Sequence, residues 1–88
     1  MKQLIGRVLW FRARDGFGII VDPQGNEFYF DQSVLRISPR QKVERNKIVT
    51  FYINEKITEL LCARNVSVPA DSKQKLIEKK FSKNELGL

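Results

Sequence analysis

The 88-residue sequence predicts an all-β fold: a small closed barrel of five antiparallel strands, followed by a short tail. Three observations carry that prediction. β-Branched and aromatic residues gather into five short runs, most of them flanked by turn-forming Gly, Pro, Asn or Asp. No convincing helical pattern separates the runs. Five short strands also leave two exposed edges unless the sheet closes on itself, and closure removes them.

The first strand is QLIGRVLWF, residues 3–11, with Gly6 as a bulge or bend. GFGIIV, residues 16–21, is the second, and EFYF, residues 27–30, the third. Between them, Asp22-Pro23-Gln24-Gly25-Asn26 supplies a tight turn: proline presets φ and glycine accepts a positive one. Strands two and three are therefore a hairpin. KIVTFYIN, residues 47–54, is the fourth strand and LLCARNVSV, residues 60–68, the fifth. A long polar connection from Asp31 to Lys47 carries Arg36, Arg40, Lys42, Arg45 and Lys47.

Pro69 ends the fifth strand, so the barrel is assigned to residues 1–69 and a basic extension, helical or disordered, to residues 70–88. Asp71 or Ser72 is a candidate helix cap there, with Leu76, Ile77 and Phe81 at helical spacing. The stripe is short, and an isolated helix of this kind is marginal in water. Docking on its own barrel, contact with a partner, disorder and a link to a further domain all stay open for it.

Composition narrows the function. Net charge is +6 and the pI is about 9.8, which suits a polyanionic partner. The excess is not confined to the extension, since residues 1–66 carry eleven Lys and Arg against seven Asp and Glu. The lone cysteine, Cys62, cannot form an intramolecular disulfide; it reads as a small core residue in a reducing, cytoplasmic setting. No apolar run approaches the roughly 20 residues of a membrane span, and MKQLIGRVLW lacks the apolar segment of a signal peptide. There is no histidine, which removes the commonest general base and metal ligand, and one cysteine cannot assemble a zinc site. An enzyme is not expected, and neither a cofactor nor a metal is called for.

Strand alternation then sorts the aromatic residues. In the second strand Phe17 and Ile19 share one face, and Gly18 and Ile20 the other. In the third, Tyr29 shares its face with Asp31, so Phe28 and Phe30 turn inward. In the first, Val8 is the natural inward residue and Trp10 is placed outside. The expected core is Val8, Ile20, Phe28, Phe30, Val49, Phe51, Ala63 and Val66. Trp10, Phe17 and Tyr29 are expected to be substantially exposed and close together, a platform on which bases stack. They are equally the kind of patch that packs under the tail or a partner chain. Gly16 and Gly18 serve a bulge, or leave the backbone open to a ligand.

The motifs resemble a cold-shock domain. Gly6 to Phe11 matches that family's Gly-x-Val-x-Trp-Phe, and Asp15-Gly16-Phe17-Gly18-Ile19-Ile20 resembles its first nucleic-acid motif. Phe28-Tyr29-Phe30-Asp31-Gln32 resembles the second, and Ala63 to Val66 the closing Ala-x-Asn-Val. The likeness covers about residues 3 to 68, with the motifs in family order. It implies a five-stranded OB-fold barrel that binds single-stranded RNA or DNA, leaning toward pyrimidines, as a monomer or weak homodimer without cofactor. Taken together with alternation and charge, the expected nucleic-acid-binding residues are Trp10, Phe11, Arg12, Arg14, Phe17, Ile19, Tyr29, Asp31, Gln32 and Lys42.

The chain departs from that pattern where it matters for charge. Asp15, Ile19 and Asp31 stand where the family has a lysine, a phenylalanine and a histidine, and Leu9 where it has a lysine. Two added carboxylates oppose phosphate binding, while Arg12, Arg14 and the cations of the long connection favour it. Two functions follow. One is a single-strand binder of the RNA-chaperone type; the other is a degenerate OB-fold that binds protein, with Asp15 and Asp31 as marks of a lost nucleic-acid face.

Overall fold

The five apolar runs form the five strands: β1 (Lys2–Arg12), β2 (Phe17–Val21), β3 (Glu27–Asp31), β4 (Ile48–Ile53) and β5 (Arg64–Ser67). The structure is a computed structural model that describes residues 2–38, 40–54, 62–70, 73, 74, 76 and 77. Leu60 and Leu61 of the expected fifth strand, and Asp71, Ser72 and Phe81 of the expected tail helix, lie outside the described residues. The strands make one antiparallel sheet in the order β3-β2-β1-β4-β5, an OB-fold arrangement. The Ala63 N–H donates to the Tyr29 carbonyl at 2.8 Å and the Arg36 N–H to that of Val66 at 2.7 Å, so the edges β3 and β5 meet. A 3-10 turn over Gln32–Val34 opens the long connection that the sequence left without structure. No helix among the described residues is long and apolar enough to cross a membrane.

The hairpin turn forms as its residues dictate. The Asp22 carboxylate accepts from the backbone N–H groups of Gln24 at 3.0 Å and Asn26 at 2.8 Å, and from the Asn26 side-chain amide at 3.1 Å. Gly25 takes a φ of 88°, which an L side chain rarely adopts. The ladder then runs without a slip from Val21 opposite Glu27 to Phe17 opposite Asp31.

All eight expected core residues are buried, with Phe30 and Phe51 among the largest fully buried side chains. Burying a side chain of that size is worth roughly 1.5–3 kcal/mol.

Two corrections concern β1. Gly6 is not a bulge: Lys2 to Arg7 pair with Ile53 to Ile48 in unbroken register. A Cβ on Gly6 would come within 2.5 Å of the Ile20 Cγ2 and 2.9 Å of the Val21 carbonyl, so the glycine serves close packing. The irregularity falls at Leu9 instead, where Val8 opposes Ile20 and Trp10 opposes Ile19. β1 serves β4 with its first half and β2 with its second, and an extra residue supplies the bend between the two duties.

The start of the tail is tied to the barrel. Thr50 pairs with Ser67, and the next pair in that register would set Ile48 opposite Pro69, which has no N–H to give. The Gln74 carboxamide takes the place. Its Oε1 accepts from the Ile48 N–H at 2.8 Å, and its Nε2 donates to the carbonyls of Ile48 at 2.9 Å and Pro69 at 3.0 Å. Lys73, Gln74, Leu76 and Ile77 are helical, and the Lys73 and Gln74 N–H groups both donate to the Ala70 carbonyl. The barrel's contacts therefore reach past residue 69.

Candidate nucleic-acid interface

The extra residue at Leu9 decides which way Trp10 points. Strict alternation would place Trp10 on the inward face of Val8, but the bulge reverses the phase and sends it outward. There its ring meets Phe17 edge to face, centroids 5.6 Å apart. Phe17 in turn lies 6.0 Å from Tyr29 at a 30° tilt. Ile19, directly opposite Tyr29, is on the same face. The three rings form one row across β1, β2 and β3.

The row is less open than alternation suggests. Tyr29 is 43% exposed, but Trp10 and Phe17 are half-buried. Neighbouring rings cover one another, and the Arg12 guanidinium sits 5.4 Å from the centre of the Trp10 ring. A cation over an indole face is attracted by its quadrupole, so Arg12 holds positive charge at the end of the row.

Phe11 is not part of it. Its ring stacks on that of the buried Phe30 at 5.5 Å and 13°, on the inner side of the sheet. Gly18 lets the β1 backbone and the Phe30 ring come close, because a Cβ there would lie 2.4 Å from the Trp10 carbonyl and 3.0 Å from a Phe30 ring carbon. Gly18 is therefore buried within β2 and offers no open backbone to a ligand. Gly16 is buried too: its φ of 74° shapes the turn before β2, and the Gln32 side chain lies over it. The Gln32 N–H donates to the Gly16 carbonyl at 2.8 Å, which fastens that turn to the end of β3. Arg14 and Asp15 stand exposed in the turn.

Asp31, opposite Phe17, caps the 3-10 turn. Its carboxylate accepts from the Ser33 hydroxyl and from the Ser33 N–H, and these bonds hold the carboxyl below the usual carboxylate range. Lys42 lies elsewhere, in an open cleft of about 350 Å³ shared with Arg40, Gln41, Lys47 and the Val68–Ala70 segment. None of the three rings lines that cleft.

No family model and no curated protein matches the sequence. Among solved structures, Drosophila Unr CSD456 superposes with a TM-score of 0.62 at 18% identity, over 80% of this chain and 28% of that one. The chain has the cold-shock domain fold. At that identity the likeness is one of architecture, and the chain spans little more than a quarter of the solved Unr chain. On this cold-shock fold the ring row occupies the outer face of β1 to β3, where the sequence motifs put it.

Closure of the cold-shock barrel also brings together residues that strand alternation could not join. Cys62 is half-buried rather than core, and it bridges to Tyr29 across the seam of β3 and β5. Ala63, its neighbour, is the core residue. Arg64 and Asn65 stand exposed at the same seam, beside Arg36. Their relation to Tyr29 depends on edge pairing between segments more than thirty residues apart, for which no local pattern exists. Among the described residues no group of three or more Cys, Asp or Glu is placed to hold a metal.

Proposed function

We propose that the chain binds single-stranded RNA or DNA by stacking bases on Trp10, Phe17 and Tyr29, and that it acts as an RNA chaperone. The observation that carries this reading is the continuous outward ring row, with centroid spacings of 5.6 Å and 6.0 Å. Duplex bases are already stacked on one another, so a ring row of this kind selects unpaired strands. Binding open strands shifts weak secondary structure toward the melted form by mass action, without a cofactor or ATP. Arg12 and Arg14 supply phosphate attraction near the row, and Ile19 is on the same face. A lean toward pyrimidine-rich strands follows from the family resemblance, not from a residue of this chain, as does action as a monomer or weak homodimer.

A second reading has an observation in its favour. Asp31 stands on the ring face opposite Phe17 with its carboxylate fixed by Ser33, and a fixed negative charge there suits a protein partner better than a phosphate chain. Titration of Trp10 fluorescence, the only tryptophan, with oligo-dT, oligo-dA and duplex DNA separates the two. Quenching by single strands but not duplex supports strand binding. Silence with all three favours the protein-binding module.

A further inference from the structure

Two lines of residues cross the outer face of the sheet. Trp10, Ile19 and Tyr29 lie opposite one another on β1, β2 and β3, and Arg12, Phe17 and Asp31 form the next line. Cross-strand partners share a face, so the Phe17 ring has a guanidinium on one side and a carboxylate on the other. Two strand spacings, about 10 Å, separate the Arg12 and Asp31 backbones. A base stacked on Phe17 lies between the two side chains.

Both groups are held, and both keep unused capacity. Asp31 Oδ1 takes the two bonds from Ser33, its N–H and its hydroxyl, while Oδ2 has no donor among the described residues. The exposed Arg12 guanidinium rests 5.4 Å from the centre of the Trp10 ring, at the level of stacked bases rather than of a backbone outside them. Its N–H groups meet no hydrogen-bond acceptor among the described residues.

Guanine is the base that suits such a pair. One of its edges carries two adjacent donors, N1–H and the N2 amino group, and a carboxylate accepts from both. Its other edge carries the O6 and N7 acceptors, which match the guanidinium fork. Cytosine and adenine offer a carboxylate one amino group, and thymine a single N–H between two carbonyls. We propose that Arg12 and Asp31 make the Phe17 position of the ring row selective for guanine, with Asp31 accepting from N1–H and the N2 amino group and Arg12 donating to O6 and N7. The inference rests on the ring row being the stacking surface, and it departs from a pyrimidine lean at this one position. It also gives Asp31 a use on a face where a carboxylate otherwise only repels phosphate.

Trp10 fluorescence of the full chain is titrated with oligo-dT of about 8 nucleotides, within the range of OB-fold footprints. Four further strands replace one central thymine by guanine, inosine, cytosine or adenine. The guanine strand should bind about tenfold more tightly than oligo-dT, within the range for a bidentate base contact. Inosine, which lacks the N2 amino group, should recover only part of that gain, and cytosine and adenine little of it. Asp31→Asn and Arg12→Lys should each cut the guanine-to-thymine affinity ratio severalfold, the second with its positive charge kept. The ratio is internal to each variant, so a change in stability or in overall affinity does not move it. Quenching by all five strands at one midpoint overturns the guanine subsite and leaves the ring row standing. Inosine or cytosine equal to guanine overturns the two-donor contact with Asp31. A guanine preference that survives in both variants overturns the assignment to Arg12 and Asp31. Silence with every strand overturns both readings.

Discussion

The Trp10 and Phe17 rings meet edge to face at 5.6 Å although Val8, two residues before Trp10, is completely buried. In a regular strand those two facts exclude each other, since residues i and i+2 share a face. The bulge at Leu9 reconciles them. The ring row on which the proposed function depends is therefore the product of one extra residue in a long strand.

If the row is the stacking surface, Phe17→Ala and Tyr29→Ala each weaken single-strand binding by about 1–3 kcal/mol. Tyr29 is exposed, so Tyr29→Ala should keep the circular dichroism and urea midpoint of the parent. Phe17 is half-buried against two rings, so Phe17→Ala should keep the spectrum but lower the midpoint. Unchanged oligo-dT affinity in both variants removes the rings from the interface.

Asp15 sits exposed in the turn just before Phe17, where a carboxylate repels a passing phosphate. Asp15→Lys should tighten oligo-dT binding, most at low salt, and steepen the log–log salt slope by up to about 0.7. Affinity measured at two salt concentrations reads both quantities. No change in either places the strand away from this turn.

Gly18→Ala should destabilise the fold by about 1–3 kcal/mol, the usual cost of overpacking. The added methyl would lie 2.4 Å from a backbone oxygen and 3.0 Å from a backbone Cα, neither of which can swing away as a side chain can. Chemical denaturation checks it. A variant as stable as the parent would mean that β1 and β2 are not packed as tightly as described.

Gln74→Ala should cost about 1–3 kcal/mol, because it strips both backbone partners from Ile48, a residue only 1% exposed. Gln74→Glu keeps an acceptor for the Ile48 N–H but loses the donor to both carbonyls, so it should be destabilised as well. Hydrogen exchange at the Ile48 amide gives the local readout: exchange should quicken in Gln74→Ala. Unaltered protection there would show that the tail does not complete β4.

The Asp31 carboxyl has a folded pKa below its unfolded value, so its contribution to stability is present above the unfolded pKa. It is lost as pH falls through the lowered one. Asp31→Asn, which cannot titrate, should thus be less stable than the parent at neutral pH and should converge with it in acid. A stability difference that stays constant from neutral to acid pH would dissociate the carboxylate from the Ser33 bonds.

Most of the architecture was legible in the chain. Asp22 to Asn26 specified the hairpin through turn chemistry that is local by nature, and alternation in GFGII and EFYFD separated Ile20, Phe28 and Phe30 from Phe17 and Tyr29. Those signals have a range of a few residues, so reading them needs no knowledge of what lies across the sheet. Trp10 was placed on the correct face, but alternation alone does not give that result.

What the sequence by itself determined was which residues form strands, which turn joins β2 to β3, and which side chains fill the core. What only the tertiary structure decided was where β1 breaks register, that Gly18 makes room for the β1 backbone and the Phe30 ring, and that Cys62 and Arg64 stand beside Tyr29. It also decided that Gln74 replaces the N–H that Pro69 lacks. Each of these depends on a partner distant in sequence: β4 and β2 pulling on opposite halves of β1, β3 closing against β5, or a tail residue reaching back to Ile48. Periodicity along one strand carries no record of such partners, because the energy that fixes them arises only when the sheet closes.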